Sequence, residues 1–359
     1  MVDVAPSVSA VDLFCGAGGL SAGLVQAGVS VDAGIDIDPA CKYPFESNIG
    51  GTFLHKDVRD VTAASLLPLW CDGSVRLLCG CAPCSPFSPY RRGMDTSSEE
   101  EWPLLDEFGR LVGDTEPELV TMENVPRIGS APVFKRFVDV LRDAGYHVDW
   151  KSCHGPDYGL PQRRRRLVLL ASLLGPIEMA EGALRGKRHR TVRDEIYKLP
   201  RLTAGGVDPK DRLHKSRALS DINLKRIRAS RPGGSWKEWP VELRAACHAK
   251  SSGSTFRNVY ARMEWDEPAP TITTLSHNFG TGRFGHPEQD RAISLREAAM
   301  LQGFPRDYRF VKRDEPVFFA RLGRLIGNAV PPPISKAIGS VIMLHVADDA
   351  SREKPPGTL

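Results

Sequence analysis

The chain has 359 residues, 41% hydrophobic and 26% charged, which is the make-up of an ordinary globular protein with room for one large or two ordinary domains. Its longest apolar run, Leu167 to Ile177, is too short to cross a bilayer, so a membrane-spanning helix is excluded and no membrane partner is expected. The net charge of +4 is unevenly spread: 25 Lys/Arg stand against 10 Asp/Glu from Lys151 to Arg262, and 23 against 34 elsewhere, a basic segment suited to a polyanion such as nucleic acid.

The eight cysteines form no regular framework, and no secretory signal precedes them, so a reducing, cytoplasmic setting is expected. Ala10 to Phe14 reads as a buried strand, Cys15 to Gly19 as a tight loop, and Leu20 to Ala27 as a helix. Strand, glycine loop and helix N-terminus form the nucleotide-cradling arrangement of α/β proteins. Gly16, Gly18 and Gly19 do not fit the dinucleotide fingerprint, which needs a glycine where Ser21 stands; this argues against NAD.

Val31 to Ile35 is a second strand, ending in Asp36-Ile37-Asp38. Asp36 at its tip can accept from ribose hydroxyls, and Ile37 can lie flat on an adenine. Pro39 starts a helix to about Asn48. A short strand leads to His55-Lys56-Asp57-Val58, where Asp57 can accept from an adenine amino group. Each aspartate alone also fits a helix cap or a turn. Three successive strand ends bearing a glycine loop, an acid and an acid point to an adenosyl cofactor.

Val75 to Cys79 is an apolar strand that stops at Gly80 and delivers Cys84 behind Pro83, ahead of Ser85-Pro86-Phe87-Ser88. A thiol in a rigid polar loop after a core strand is placed to be a nucleophile. Cys79, Cys81 and Cys84 lack a second ligand pair at zinc spacing, so no metal is expected and Cys79 belongs to the strand. Pro89 to Glu116, with Arg91, is polar and reads as a loop that could close over a substrate.

Leu119 to Met122 is another buried strand, ending in Glu123-Asn124-Val125-Pro126; its acid faces the carboxyl edge of the sheet, where sites of open α/β folds lie. Pro132 to Ala144 fits a helix and Tyr146 to Cys153 a strand. Gln162 then leads into Arg163 to Arg166 and the apolar strand Leu167 to Leu170. Alternation along an extended segment would put Arg164 and Arg166 on one face, where guanidinium forks suit phosphates and carbonyl oxygens. From Gly175 to about Trp265 the chain reads as a loop-rich basic unit. Ser294 and Glu297 have the capping-box spacing for a helix to Gly303, and a terminal helix runs from Ile334 to His345.

Together these segments resemble the DNA cytosine-5 methyltransferases of bacterial restriction-modification systems, which use S-adenosylmethionine. Residues 12 to 19 resemble the family's cofactor loop, and Pro83-Cys84 with Pro86-Phe87-Ser88 its nucleophile motif. Glu123-Asn124-Val125, and Gln162 with Arg164 and Arg166, resemble the motifs that hold the target cytosine. Arg296-Glu297, Leu301 to Pro305 and Gly327 to Pro331 resemble the late motifs. The family usually has Gln, sometimes Asn, after the nucleophile; here it is Ser85, which reaches less far.

The resemblance implies an α/β, Rossmann-like methyltransferase fold with a second, smaller, loop-rich DNA-recognition domain. Residues 1–174 plus 320–348 would form the catalytic domain and 175–319 the recognition domain, with the variable part at about 175–265. It implies that Cys84 attacks carbon 6, that Glu123 meets ring nitrogen 3 and the exocyclic amine, and that Arg166, with Arg164, holds carbonyl oxygen 2. Phe14, Gly16, Gly18, Gly19, Asp36, Ile37, Asp57, Val58, Asn328 and Val330 would line the cofactor site. Pro83, Ser85, Ser88, Arg91, Asn124 and Gln162 would meet the base or the DNA. The implied partners are double-stranded DNA and a cognate restriction endonuclease that forms no stable complex, with the chain itself a monomer. An RNA cytosine methyltransferase of the same fold is the rival within the chemistry; a DNA-binding protein without catalysis is the rival outside it.

Overall fold

A computed structural model describes residues 7–83, 103–249 and 255–352. Two compact units emerge: Met1–His154, Arg165–Ala183 and Val330–Leu359 form the first, and Gly155–Arg164 with Leu184–Ala329 the second. The strands are β1 (Val8–Leu13), β2 (Ser30–Asp36), β3 (Thr52–His55), β4 (Val75–Gly80), β5 (Leu119–Asn124), β6 (His147–His154) and β7 (Arg165–Ser172). The helices are α1 (Gly19–Gln26), α2 (Lys42–Ile49), α3 (Ala63–Leu66), α4 (Pro103–Thr115), α5 (Pro132–Asp143), α6 (Val192–Ile196), α7 (Asp221–Ala229), α8 (Leu295–Leu301), α9 (Phe319–Asn328) and α10 (Pro332–Arg352).

In the first unit the strands form one sheet in the order β3-β2-β1-β4-β5-β7-β6. β1 to β5 run parallel, and β7 is antiparallel to both its neighbours. This is the expected Rossmann-like α/β architecture. Strands inside such a sheet are covered on both faces, which is why β1 and β5 are buried at every position, polar residues included. The strand order reverses beside β1, between β2 and β4, so the crevice at the carboxyl ends of β1 and β4 is the natural ligand site.

Register decides which residues share a face. Val11 pairs with Leu78, Leu78 with Val120, and Met122 with Leu169; this row packs with Leu105, Phe108, Phe134 and Phe137 of α4 and α5 in the main core. Asp12, Cys79 and Thr121 occupy the opposite row. Toward that face's lower edge, Ser172 of β7 bonds His345 of α10 at 2.8 Å.

α1 lies directly against α10. A Cβ added at Gly23 would collide with Pro332 and Ser335, and one at Gly339 would come within 2.6 Å of Ala27. This contact is the expected return of the terminal helix to the N-terminal part of the fold.

One helix departs from the sequence expectation, and another, α9, was not anticipated. Residues 103–115, read as loop, are helical, with Leu105, Phe108, Leu111 and Val112 buried and the Phe108 ring 5.2 Å from Phe137. The apolar stripe is interleaved with charged residues that pair among themselves, Arg110 with Glu107 and Asp114. Residues 89–102 of that expected loop lie outside the described residues. α9 hides its stripe behind glycines: a Cβ at Gly323 would sit 2.6 Å from the Thr274 carbonyl, and one at Gly327 would collide with Thr273 and Thr274.

The second unit has little regular structure, so many backbone carbonyls there lack ladder partners. Buried guanidiniums fill that need. Arg262 donates to the carbonyls of Ile227, Ser230, His286 and Gln289 and pairs with Asp290. Arg291, fully buried, forms a two-point pair with Glu297 at 2.7 and 2.8 Å. Glu297 completes the expected capping box with Ser294 at the start of α8. Trp236, Trp239, Tyr260 and Phe279 supply the unit's own apolar centre.

Candidate active site

The glycine loop after β1 is shaped by left-handed backbone at three positions: Phe14 at φ 57°, Gly16 at 55° and Gly18 at 81°. A phenylalanine in this region is uncommon and is held by its surroundings. Asp36, at the tip of β2, accepts from the Gly16 N–H at 2.9 Å and the Asp38 N–H at 2.8 Å. A Cβ on Gly16 would meet nothing within 4 Å, so the loop borders open space. Ile37 stands beside it 63% exposed, unusual for an isoleucine at a strand end in a folded core.

Asp57 is engaged by its neighbour: its carboxylate accepts from the Arg59 N–H and pairs with the Arg59 guanidinium at 2.7 Å, which holds it below the usual carboxylate range. The Val58 side chain is buried in the core, so its contribution to any ligand would be through backbone. Val330 is buried in the first unit, whereas Asn328 is exposed at the end of α9 in the second.

Beneath the loop lies a group the sequence reading left without a role. Asp12 is 1% exposed; Oδ2 accepts from Ser21 of α1 at 2.5 Å, while Oδ1 has no hydrogen-bond partner among the described residues. Burial pushes its carboxyl up to about 7, against the lowering by Ser21.

At the far end of the same sheet face, three adjacent strands converge. Glu123 pairs with Val168 across β5 and β7, and Arg166, two residues before Val168, points to the same side. Arg166 Nε lies 2.9 Å from Glu123 Oε1. The N–H is out of line for a hydrogen bond, so this 2%-exposed carboxylate keeps an oxygen without a hydrogen-bond donor among the described residues. From β4, one step past the Gly80–Met122 pair, Cys81 donates its S–H to Glu123 Oε2 at 3.1 Å. The arrangement presents a buried acceptor beside a guanidinium, and so fits a ring carrying an N–H next to a carbonyl.

Other expected contacts are used differently. Asn124 is buried; its Nδ2 donates to the Ala82 carbonyl at 3.1 Å and its Oδ1 accepts from Val125 N–H, so it fixes the chain just before the exposed Pro83 rather than facing solvent. Gln162, expected to touch the substrate, is fully buried in the second unit. Its Nε2 donates to Leu301 O and Gln302 Oε1, and its Oε1 accepts from Ile272 N–H, so both ends of the amide are consumed internally. Arg164 does not share a strand face with Arg166. β7 begins at Arg165, so the alternation stops there, and Arg164 is buried in the second unit, donating to the carbonyls of Ile272 and Gly327. Cys84, Ser85, Ser88 and Arg91 lie outside the described residues.

Sequence reasoning missed Cys81 and Asp12 as site residues. The signal for Cys81 is register, which becomes visible only when β4 is aligned with β5; the signal for Asp12 is the Ser21 hydroxyl one helical turn into α1.

Residues 8–344 match the model of the C-5 cytosine-specific DNA methylases. The chain is 47% identical over 335 residues to the Type II methylase M.HgiDII of Herpetosiphon aurantiacus, covering 92% of this chain and 94% of that relative. Among solved structures it is similar to a prophage-encoded protein of E. coli described as a DNA modification methyltransferase, with a TM-score of 0.68 at 22% identity over 94% of this chain and 98% of that one. The S. pombe Dnmt2 methyltransferase gives 0.64 at 18% identity, over 94% and 97%. With the glycine loop, the clamped Glu123 and the α/β sheet already described, these likenesses settle the assignment: the chain belongs to the C-5 cytosine-specific DNA methylase family, a family of enzymes.

Proposed function

We propose that this enzyme methylates carbon 5 of a cytosine swung out of duplex DNA, acting through a transient Cys84 adduct at carbon 6, as the modification arm of a Type II restriction system. The observation that carries the reading is the buried Glu123 carboxylate, charge-paired with Arg166 yet short of a hydrogen-bond donor at Oε1 among the described residues. A cytosine offers that donor through its exocyclic amine or a protonated ring nitrogen, and offers its carbonyl oxygen to a guanidinium. An unmodified cytosine inside a duplex cannot reach a carboxylate so deeply enclosed, which requires the base to leave the stack.

Addition of the Cys84 thiolate to carbon 6 makes the ring enamine-like and raises electron density at carbon 5; once carbon 5 carries the methyl group, loss of its proton expels the thiolate from carbon 6 and restores the ring. Glu123 holds the nitrogen edge through this change, and Arg166 balances charge at the oxygen edge in a largely dry setting. S-adenosylmethionine, when bound, supplies an electrophilic methyl group activated by its sulfonium. The residues present fit such a cofactor: open space over Gly16, an exposed apolar Ile37 and the Asp36 carboxylate lie at the switch point of the sheet. The basic stretch of the second unit supports the reading of that unit as the DNA-recognition part, its cations gripping phosphates.

The test is incubation with methyl-labelled S-adenosylmethionine and duplex DNA, or tRNA in parallel. Label in DNA, and denaturation-resistant trapping of the enzyme on a target bearing 5-fluorocytosine, is the expected result. Label only in tRNA would replace the substrate, and label in neither would remove the catalytic reading.

A further inference from the structure

We infer that Cys81 is a positioning residue whose thiol fixes the second oxygen of the Glu123 carboxylate. The inference rests on the proposed contact between Glu123 and the target cytosine. The β4–β5 ladder pairs Gly80 with Met122, so the next residues, Cys81 and Glu123, fall side by side on one face. β4 ends at Gly80, yet the two chains stay attached beyond it through side chains: Cys81 Sγ to Glu123 Oε2 at 3.1 Å, and Asn124 Nδ2 to the Ala82 carbonyl at 3.1 Å. These bonds extend the strand pairing two residues toward Cys84.

The carboxylate is thereby held from two strands. Arg166 approaches Oε1 from β7, and the half-buried Cys81 approaches Oε2 from β4. With one oxygen occupied by the thiol, the carboxylate plane is set and Oε1 is the oxygen left to meet a ligand. A partial rotation of the carboxylate plane would turn Oε1 away from that position. The thiol donates to Oε2 alone, so it orients the carboxylate while leaving Oε1 to face a substrate N–H. The groups shown against Glu123 are the Arg166 guanidinium and the Cys81 thiol.

The experiment compares single-turnover methyl transfer for the full-length wild type, Cys81→Ala, Cys81→Ser and Glu123→Gln, with duplex affinity and thermal denaturation measured alongside. Cys81→Ala is expected to retain DNA affinity and slow transfer roughly tenfold to a hundredfold because the donor that orients the carboxylate is gone. Cys81→Ser, which keeps a donor, is expected to restore the rate toward the wild type. Equal rates for wild type and Cys81→Ala overturn the inference; so does an equal loss in the alanine and serine variants, which would mark a packing role. Near-normal transfer by Glu123→Gln overturns the underlying reading of Glu123, whereas an inactive Glu123→Gln with an unaltered Cys81→Ala overturns the role of Cys81 alone.

Discussion

Glu123 and Arg166 stand 2.9 Å apart on neighbouring antiparallel strands, with the carboxylate 2% exposed and the guanidinium 13%. Removing the cation strands a buried charge. Arg166→Ala is therefore expected to slow methyl transfer by about a hundredfold to a thousandfold and to destabilise the fold by about 3–5 kcal/mol. Arg166→Lys should recover part of the stability and little of the rate, because an ammonium lacks the planar fork. Single-turnover kinetics and denaturant melts check both; a fully active alanine variant would remove Arg166 from the chemistry.

Cys84→Ser should lose methyl transfer by roughly a thousandfold or more while duplex binding stays within a few-fold of wild type, because a serine hydroxyl is a far weaker nucleophile than a thiolate. Filter binding beside label transfer measures the two properties separately. Retained turnover would show that another group attacks the ring.

Asp36 holds two loop N–H groups, those of Gly16 and Asp38. Asp36→Ala frees both and loosens the left-handed loop. Affinity for S-adenosylmethionine should fall roughly tenfold or more, with DNA affinity unchanged. Separate titrations with cofactor and DNA test this, and unaltered cofactor affinity would count against the assignment.

The second unit should fail first in acid. Burial lowers His277 and His286 to about 4, so the folded chain keeps them neutral, and stability is lost as pH falls from 6.5 toward 4. Glu297 behaves differently. Burial would raise its carboxyl, but Arg291 overrides this and holds it at about 2, so its contribution is complete above 4.5 and disappears as pH falls toward 2. Glu297→Gln leaves Arg291 buried without its counter-charge and should cost about 3–5 kcal/mol at neutral pH. Melts from pH 3 to pH 8 would reveal both effects, and a flat profile down to pH 4 would contradict the first.

Asp12 should oppose folding as pH rises to neutrality. Its proton is retained in the folded state up to about pH 7 and lost from the unfolded chain near 3.8, so stability falls as pH rises between these values. By that linkage the ionised group costs on the order of 4 kcal/mol above pH 7. Asp12→Asn should gain on the wild type steadily from pH 4 to pH 8. A constant difference in melting temperature across that range would show that Asp12 does not hold the proton.

Much of the first unit was legible because apolar stretches of its strands stop at a glycine or an acid where the chain turns at the carboxyl edge. Asp36, Gly80 and Glu123 mark such ends, and the capping box at Ser294 was explicit in spacing. α4 was not legible, since Asp106, Glu107, Arg110 and Asp114 dilute its stripe, and α9 was hidden because two of its packing positions are glycines. The relation of Arg164 to Arg166 depended on where β7 begins, and alternation along an unbroken arginine run gives no such boundary. Gln162 carries no mark in sequence that it will spend its amide on Gln302 and Ile272. Cys81 needed the β4–β5 register, which pairs residues about forty apart along the chain, a separation no local pattern encodes.

The glycine seam between α1 and α10 has a consequence for biosynthesis. Gly23 meets Pro332 and Ser335, so α1 waits for a helix made much later in the chain before it is seated. Until translation reaches that point, the loop at the head of α1 rests on an unfinished support. A premature stop between α1 and Pro332 would leave that loop without its backing helix.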